Sequence, residues 1–174
     1  MHIADVSIQP NPFLGTLPDI IQLMKPNCDI CKSLDTGAER LLVTDHWIVT
    51  VAPDQGYLGR CYVTLRRHRQ HLRELNSAEW NDLTVVVGQL EHAITAALGA
   101  TLYNWACMMN TAYQDANPIA HVHWHLRPRY SAPVIFNGIE YSDKDFGHHY
   151  DRDQRRLLDA SGVAAITAAI KSKL

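Results

Sequence analysis

The spacing of apolar side chains divides this 174-residue chain into distinct elements. Runs rich in Val, Ile, Leu and Trp at 41–44 and 46–52, broken near Asp45, predict two strands, and after the loop 53–59 a third strand runs from Arg60 to Leu65. The period then changes. Asn76 stands three residues before Glu79, the spacing of a capping box, and Trp80, Leu83, Val87, Leu90, Ile94 and Leu98 recur at helical intervals as far as Gly99. One long amphipathic helix is expected there. Residues 101–110 form a fourth predicted strand, 111–118 a loop, and 120–129 a fifth strand in which apolar and polar side chains alternate. Asn137-Gly138, set between Val134–Phe136 and Ile139–Tyr141, is a strong two-residue hairpin signal. A polar loop over 142–153 precedes one or two C-terminal helices, with Ser161 as a candidate cap ahead of Val163, Ile166, Ala169 and Ile170. At the front, 1–17 read as an irregular arm and 18–25 as a short helix opening at Pro18. Consecutive strands beside one long helix predict an α+β fold, with an antiparallel sheet covered on one face.

Chain length changes this picture little: it fits a single domain over 1–174, comprising an arm (1–25), a core (26–130) and a C-terminal extension (131–174). A formal net charge of −2 and a pI near 6.5 leave no basic stripe, which argues against a nucleic-acid polymer as partner but not against a nucleotide-sized ligand. No apolar run approaches a membrane span, and the start, with Asp5, Pro10 and Pro12, lacks the pattern of a signal peptide. A cytoplasmic protein is expected. Cys28 and Cys31 form a C-x-x-C inside the turn-rich stretch 25–32, whose use in such a compartment is metal or redox; Cys61 and Cys107 lie in apolar strands as expected buried thiols.

The candidate chemistry lies on the fifth strand. His121, His123 and His125 occupy alternate positions and share one face, while Val122, Trp124 and Leu126 share the other. Imidazole attacks, donates and accepts protons near neutral pH, so three on one strand point to catalysis ahead of a purely structural or metal-only role.

His-x-His-x-His with apolar residues between, followed by Leu126-Arg127-Pro128-Arg129, resembles the motif that names the histidine triad superfamily of nucleotide hydrolases and transferases. The likeness runs from about Cys28 to Pro128, and Asn117 to Tyr130 resembles a branch with Trp in the triad, an N-terminal C-x-x-C and a C-terminal extension. The resemblance implies the same sheet-and-helix architecture, in a homodimer whose sheets continue across a two-fold axis. It implies that His123 attacks the α-phosphorus of a nucleotide substrate to give a covalent nucleotidyl-histidine. His125 would then hydrogen-bond the phosphate or leaving group, and no metal is required for the chemical step. The substrate would be of dinucleoside polyphosphate or nucleoside phosphoramidate type. Asn110 matches the family's phosphate-side asparagine and is equally readable as a turn residue; Asn117, in the loop entering the triad strand, is the weaker phosphate candidate. Asp54 falls near the ribose-binding position. Arg60 stands where the family often has His, and is either a fixed cation for polyphosphate or a surface residue of its strand.

The same resemblance adds His68, in Arg66-Arg67-His68, and the first triad residue His121 to Cys28 and Cys31 as a structural zinc set, with His71 as a substitute for His68. His148, His149 and Tyr150, in the extension, are placed to close over a nucleotide or reach a dimer partner, and equally to be solvated. Two other readings stay open: a non-catalytic nucleotide-binding module, for which Arg60 in place of His would be the sign, and a zinc-dependent hydrolase using the histidines as an open metal site.

Overall fold

The computed structural model describes residues 25–36 and 39–174. The expected arm and the short helix at 18–25 lie outside them, Lys25 apart. The order of elements is helix α1 (Asp29–Asp35), strands β1 (Leu42–Val43), β2 (Trp47–Val51) and β3 (Cys61–Leu65), helix α2 (Ser77–Leu98), strands β4 (Leu102–Cys107), β5 (His123–Arg129), β6 (Val134–Phe136) and β7 (Ile139–Tyr141), and helix α3 (Ala160–Lys171). Short 3-10 turns cover Leu72–Glu74 and Asn110–Gln114.

Five strands form one sheet in the order β1-β2-β3-β5-β4, each pair antiparallel; β6 and β7 form a separate hairpin. The α+β architecture expected from the spacing is therefore present. One face of the sheet is the core: Trp47, Val49 and Val51 of β2, Cys61, Val63 and Leu65 of β3, and Val122 and Leu126 are buried against Leu83, Val86, Leu90 and Ile94 of α2. Each such aliphatic side chain contributes roughly 1.5–3 kcal/mol by leaving water. Tyr141, Ile166 and Ile170, all from the C-terminal extension, belong to the same cluster.

Helix α2 begins where its chemistry predicts. Asn76 accepts from the Glu79 amide (2.9 Å) and Glu79 accepts in return from the Asn76 amide (2.8 Å). Glu79 is buried and also holds the Arg67 guanidinium through two nitrogens. Burial pulls its carboxyl pKa upward, but Arg67 and the Asn76 amide outweigh burial and leave it below the ordinary value. Gly99, at φ 75°, ends the helix in the left-handed region.

Four local expectations are corrected. The turn-rich stretch at Cys28 continues as α1, because the Cys28 Sγ accepts from the Cys31 amide (3.5 Å) and caps a helical turn. Trp80, expected on the buried stripe, is 38% exposed and meets Trp124 edge to face at 6.4 Å, while Val86 and Ala93 occupy the core instead. Helix α3 is capped by Asp159 rather than Ser161: its carboxylate accepts from the Gly162 amide and the Ser161 hydroxyl, both at 2.8 Å. β5 starts at His123, not at Ala120, for a reason that belongs to the site. At the hairpin, Asn137 and Gly138 take φ values of 49° and 76°, as a two-residue turn with both central residues left-handed requires.

Candidate functional site

The sheet face opposite the core carries Thr50 of β2, Tyr62 and Thr64 of β3, and His123 and His125 of β5. Register places Tyr62 opposite His125 and Thr64 opposite His123. These side chains floor a cleft of about 880 Å³. Its walls are Ile30 and Leu34 of α1, the 108–119 segment after β4, and Leu158 to Val163 at the start of α3.

Within the cleft each histidine is oriented by a backbone carbonyl. His123 Nδ1 lies 2.8 Å from the His121 carbonyl oxygen; since a carbonyl only accepts, Nδ1 carries the proton and Nε2 keeps its lone pair. His125 Nε2 donates to the Met108 carbonyl (3.3 Å), and its Nδ1 is buried without a partner. The two rings lie 4.8 Å apart, and Tyr62 presents its ring at 5.3 Å from His125. Burial, reinforced by the neighbouring His123, pushes the His125 pKa down to about 4, so it is a neutral acceptor-donor pair at physiological pH.

His121 does different work. It is buried, its Nε2 donates to the Leu65 carbonyl (2.7 Å), and Nδ1 therefore turns a lone pair toward Cys28 Sγ (3.5 Å) and Cys31 Sγ (3.4 Å). His68 Nδ1 lies 3.6 Å from Cys31 Sγ, and the four ligand atoms all fall within 4.8 Å of one another. This explains the shortened β5: residue 121 is turned to the cysteine knuckle, and its neighbour Val122 is held by the Arg69 carbonyl on one side and the Leu65 amide on the other. Burial, with Cys28 adjacent, pushes the Cys31 thiol up to about 11, so a thiolate here needs a cation beside it. Burial also pushes His121 down to about 4, leaving the neutral imidazole that coordinates metals. Two thiols and two imidazole nitrogens in a tetrahedron-sized group fit zinc by donor chemistry, and the Leu65 carbonyl supplies the outer hydrogen bond that fixes the His121 tautomer.

The remaining sequence candidates divide. Asn117 lines the cleft. Asn110 is exposed and opens the 3-10 turn beyond β4 without lining the cleft, although Thr111 next to it does. Asp54 and Arg60 are ion-paired at 2.8 Å, and the Asp54 carboxylate also accepts from the amides of Gly56 (3.1 Å) and Arg156 (3.0 Å). Neither lines the cleft. His71 caps the Leu72–Glu74 turn, away from the cysteine cluster. His148 and His149 are exposed, and Tyr150 stacks on Arg127, with the guanidinium carbon 4.2 Å from the ring centroid.

The sequence reasoning missed Tyr62, Thr64, the Met108 carbonyl, and the apolar wall of Ile30, Leu34, Leu158 and Val163. A signal existed for the first two, because Tyr62 and Thr64 fall at the opposite parity to the core residues Cys61, Val63 and Leu65.

No protein-family model matches the chain, and no curated protein matches it in sequence. Solved structures match its fold. A hypothetical histidine triad nucleotide-binding protein from Sulfolobus tokodaii strain 7 superposes with a TM-score of 0.62 at 15% identity, covering 84% of this chain and 91% of that one. A Zn-bound histidine triad family protein from Mycobacterium smegmatis gives 0.55 at 18% identity over 84% and 94%. The Plasmodium falciparum diadenosine triphosphate hydrolase, solved with cyclomarin A, gives 0.54 at 15% identity over 78% and 75%. The chain thus has the histidine triad fold. At these identities the likeness is one of fold, and what the residues do rests on their own geometry.

Proposed function

We propose that this chain is a member of the histidine triad superfamily and a nucleotide hydrolase or nucleotidyl transferase acting through His123. The observation that carries this reading is the 2.8 Å bond from His123 Nδ1 to the His121 carbonyl, which holds the proton on one nitrogen and leaves the other free as nucleophile. The Nε2 lone pair forms a bond to the α-phosphorus, and the electron pair of the breaking P–O or P–N bond leaves with the departing group, which takes up a proton from solvent. Water, or another acceptor, then adds to phosphorus and gives up its proton to solvent, and the lone pair returns to Nε2 as the N–P bond breaks. Neutral His125, whose Nε2 proton is taken by the Met108 carbonyl, meets the phosphate or the leaving group as an acceptor, its unpartnered Nδ1 taking a hydrogen bond from a protonated oxygen or nitrogen there. Asn117 is the phosphate-side amide, with Asn110, Arg60 and Asp54 as further substrate contacts reached on ligand binding. The apolar walls suit the nucleobase, in keeping with a dinucleoside polyphosphate or a nucleoside phosphoramidate as substrate.

Cys28, Cys31, His68 and His121 hold zinc in this proposal. Four protein ligands leave no open position, so the metal is structural and its role is to fix the His121 carbonyl that orients the nucleophile. Two copies pair along β4, a six-residue sheet edge with Leu102 exposed, whereas the other edge, β1, has only two residues. No disulfide joins the four cysteines, which suits a reducing, cytoplasmic setting, and none of the described helices is long and apolar enough to cross a membrane.

The test is intact-protein mass spectrometry after mixing with a dinucleoside polyphosphate, a nucleoside phosphoramidate and an adenylated conjugate. A nucleoside monophosphate adduct is expected, lost in His123→Asn. An adduct that survives that substitution refutes the assignment.

A further inference from the structure

The histidines of the cleft have no proton to spare. That on His123 Nδ1 is taken by the His121 carbonyl, and that on His121 Nε2 by the Leu65 carbonyl. His125 gives its Nε2 proton to the Met108 carbonyl, and burial, which pushes its pKa down to about 4, keeps the other nitrogen unprotonated. Neither Lys nor Arg is among the described residues that line the cleft. A group departing from phosphorus nevertheless needs a proton wherever its own anion is a strong base.

One acidic hydrogen does face the triad. Tyr62 lines the cleft and stands opposite His125 in the β3–β5 register, with its ring edge to face at 5.3 Å from His125 and 6.3 Å from His123. Arg60 Nη2 donates to the phenol oxygen (3.4 Å), and Arg60 is itself held by the Asp54 carboxylate (2.8 Å). The oxygen only accepts in that contact, so its own proton remains available, and among the described residues it meets no acceptor. A phenol serves as a general acid, whereas the aliphatic hydroxyls of Thr50 and Thr64 on the same face do not. A fixed guanidinium beside the oxygen stabilises the charge that appears there when the proton leaves.

We propose that Tyr62 is a further catalytic residue, the general acid that protonates the departing group in place of solvent, with Arg60 as the positioning residue behind it. The inference rests on the nucleotide-cleaving reading above. As the bond from phosphorus to the departing oxygen or nitrogen breaks, the Tyr62 O–H bond breaks too, and its proton joins the electron pair on that atom. The phenolate left beside Arg60 then takes a proton from the water that adds to phosphorus, while the N–P bond breaks and the lone pair returns to His123 Nε2. The cycle ends with Tyr62 and His123 as they began.

The test compares two probes, the alkylamide and the p-nitrophenyl ester of adenosine monophosphate, by the rate at which each forms a nucleotidyl adduct on the full chain. The amine must be protonated to leave and nitrophenolate need not be. Tyr62→Phe keeps the ring beside His125 and removes only the hydroxyl; it should slow the amide by about 10²-fold or more, the usual contribution of a general acid, and leave the ester at the wild-type rate. Arg60→Gln should show the same dependence on the leaving group in weaker form, and add no further loss of that kind to Tyr62→Phe, because the cation acts through the phenol. An Arg60→Gln loss that persists undiminished in Tyr62→Phe overturns the role given to Arg60. Equal slowing of both probes by Tyr62→Phe, or of neither, overturns the general acid. If Tyr62→Phe does not fold, fluorotyrosine at position 62, which alters the acidity of the phenol and little else, decides instead: a changed amide rate beside an unchanged ester rate supports the assignment, and no change in either refutes it. Failure of the underlying reading has a different signature, in which the wild-type chain forms no adduct from either probe.

Discussion

His123 is useful because of the nitrogen that makes no bond. Its Nδ1 is tied to the His121 carbonyl, so the tautomer is set before any substrate arrives. His123→Asn keeps a polar side chain of similar reach but has no lone pair on a ring nitrogen; turnover should fall to background while nucleotide affinity and the thermal midpoint stay near wild type. Calorimetry and a phosphate-release assay on the same preparation check this, and residual turnover near the wild-type rate would remove His123 from the mechanism. His125 gives a prediction about pH. Its pKa is lowered from 6.5 to about 4 in the fold. Below the unfolded value the denatured chain takes up a proton that the native state refuses, so stability declines as pH falls from about 6.5 toward 4 and is unaffected above that window. The loss is on the order of 3 kcal/mol at most. Denaturant midpoints at pH 7 and pH 5 should therefore converge in His125→Asn relative to wild type, and an unchanged gap would show that His125 is not the group responsible. At this scale much was legible: alternate histidines on a strand announced themselves, and so did the cysteine pair. The role of the Met108 carbonyl was not, because no backbone acceptor has a sequence signature. The ion pair between Asp54 and Arg60 was not legible either, since residue type suggests substrate contacts at both positions but not that the two bind each other.

Elements were read well where a local rule and the tertiary fold agree. Helix α2 has its cap, its stripe and its terminal glycine, and it formed where predicted, as did the hairpin at Asn137-Gly138. The misreadings fall where a tertiary partner overrides a pattern. Trp80 fits the helical stripe, yet Trp124 partly covers it at the edge of the core and Val86 takes the inside position. The triad strand is short at its start because His121 turns to Cys28 and Cys31. That link between knuckle and strand makes a prediction for α1. Elemental analysis should find about one zinc per chain, and the Cys28→Ser, Cys31→Ser double variant should lose it together with several degrees of thermal midpoint. Because the His121 carbonyl orients His123, the variant should also lose turnover more steeply than nucleotide affinity. A wild type free of metal and as stable as the variant would rule out the zinc assignment.

At the level of the whole molecule the extension is part of the fold. Residues 154–158 run beside the loop after β2, with Gln55 donating to the Arg156 carbonyl (2.7 Å) and Leu158 to the Pro53 carbonyl (3.0 Å), which delivers α3 to the cleft wall. Composition did not disclose this docking; periodicity shows that a helix forms, not which surface it meets. The strongest tie is Arg129, 0% exposed, whose guanidinium is bound by Asp143 at 2.5 and 3.0 Å, by the carbonyls of Asp145 (2.7 Å) and His148 (3.0 Å), and by Asn104 (2.9 Å). Four of those five bonds come from the extension. Removing Asp143 alone leaves a buried cation with neutral partners, and the expected cost is about 3–5 kcal/mol, whereas replacing both members by apolar residues removes the charge as well as its partner. Asp143→Ala should therefore shift the urea midpoint far down, and the double variant Arg129→Met, Asp143→Leu should recover much of the loss. A chain ended at Tyr130 would strand Arg129 and expose the core that Tyr141, Ile166 and Ile170 now cover, so it should not fold cooperatively. If Asp143→Ala melts with the wild type, or the shortened chain keeps a sharp transition, the extension is an appendage and the cleft wall it supplies must be dispensable.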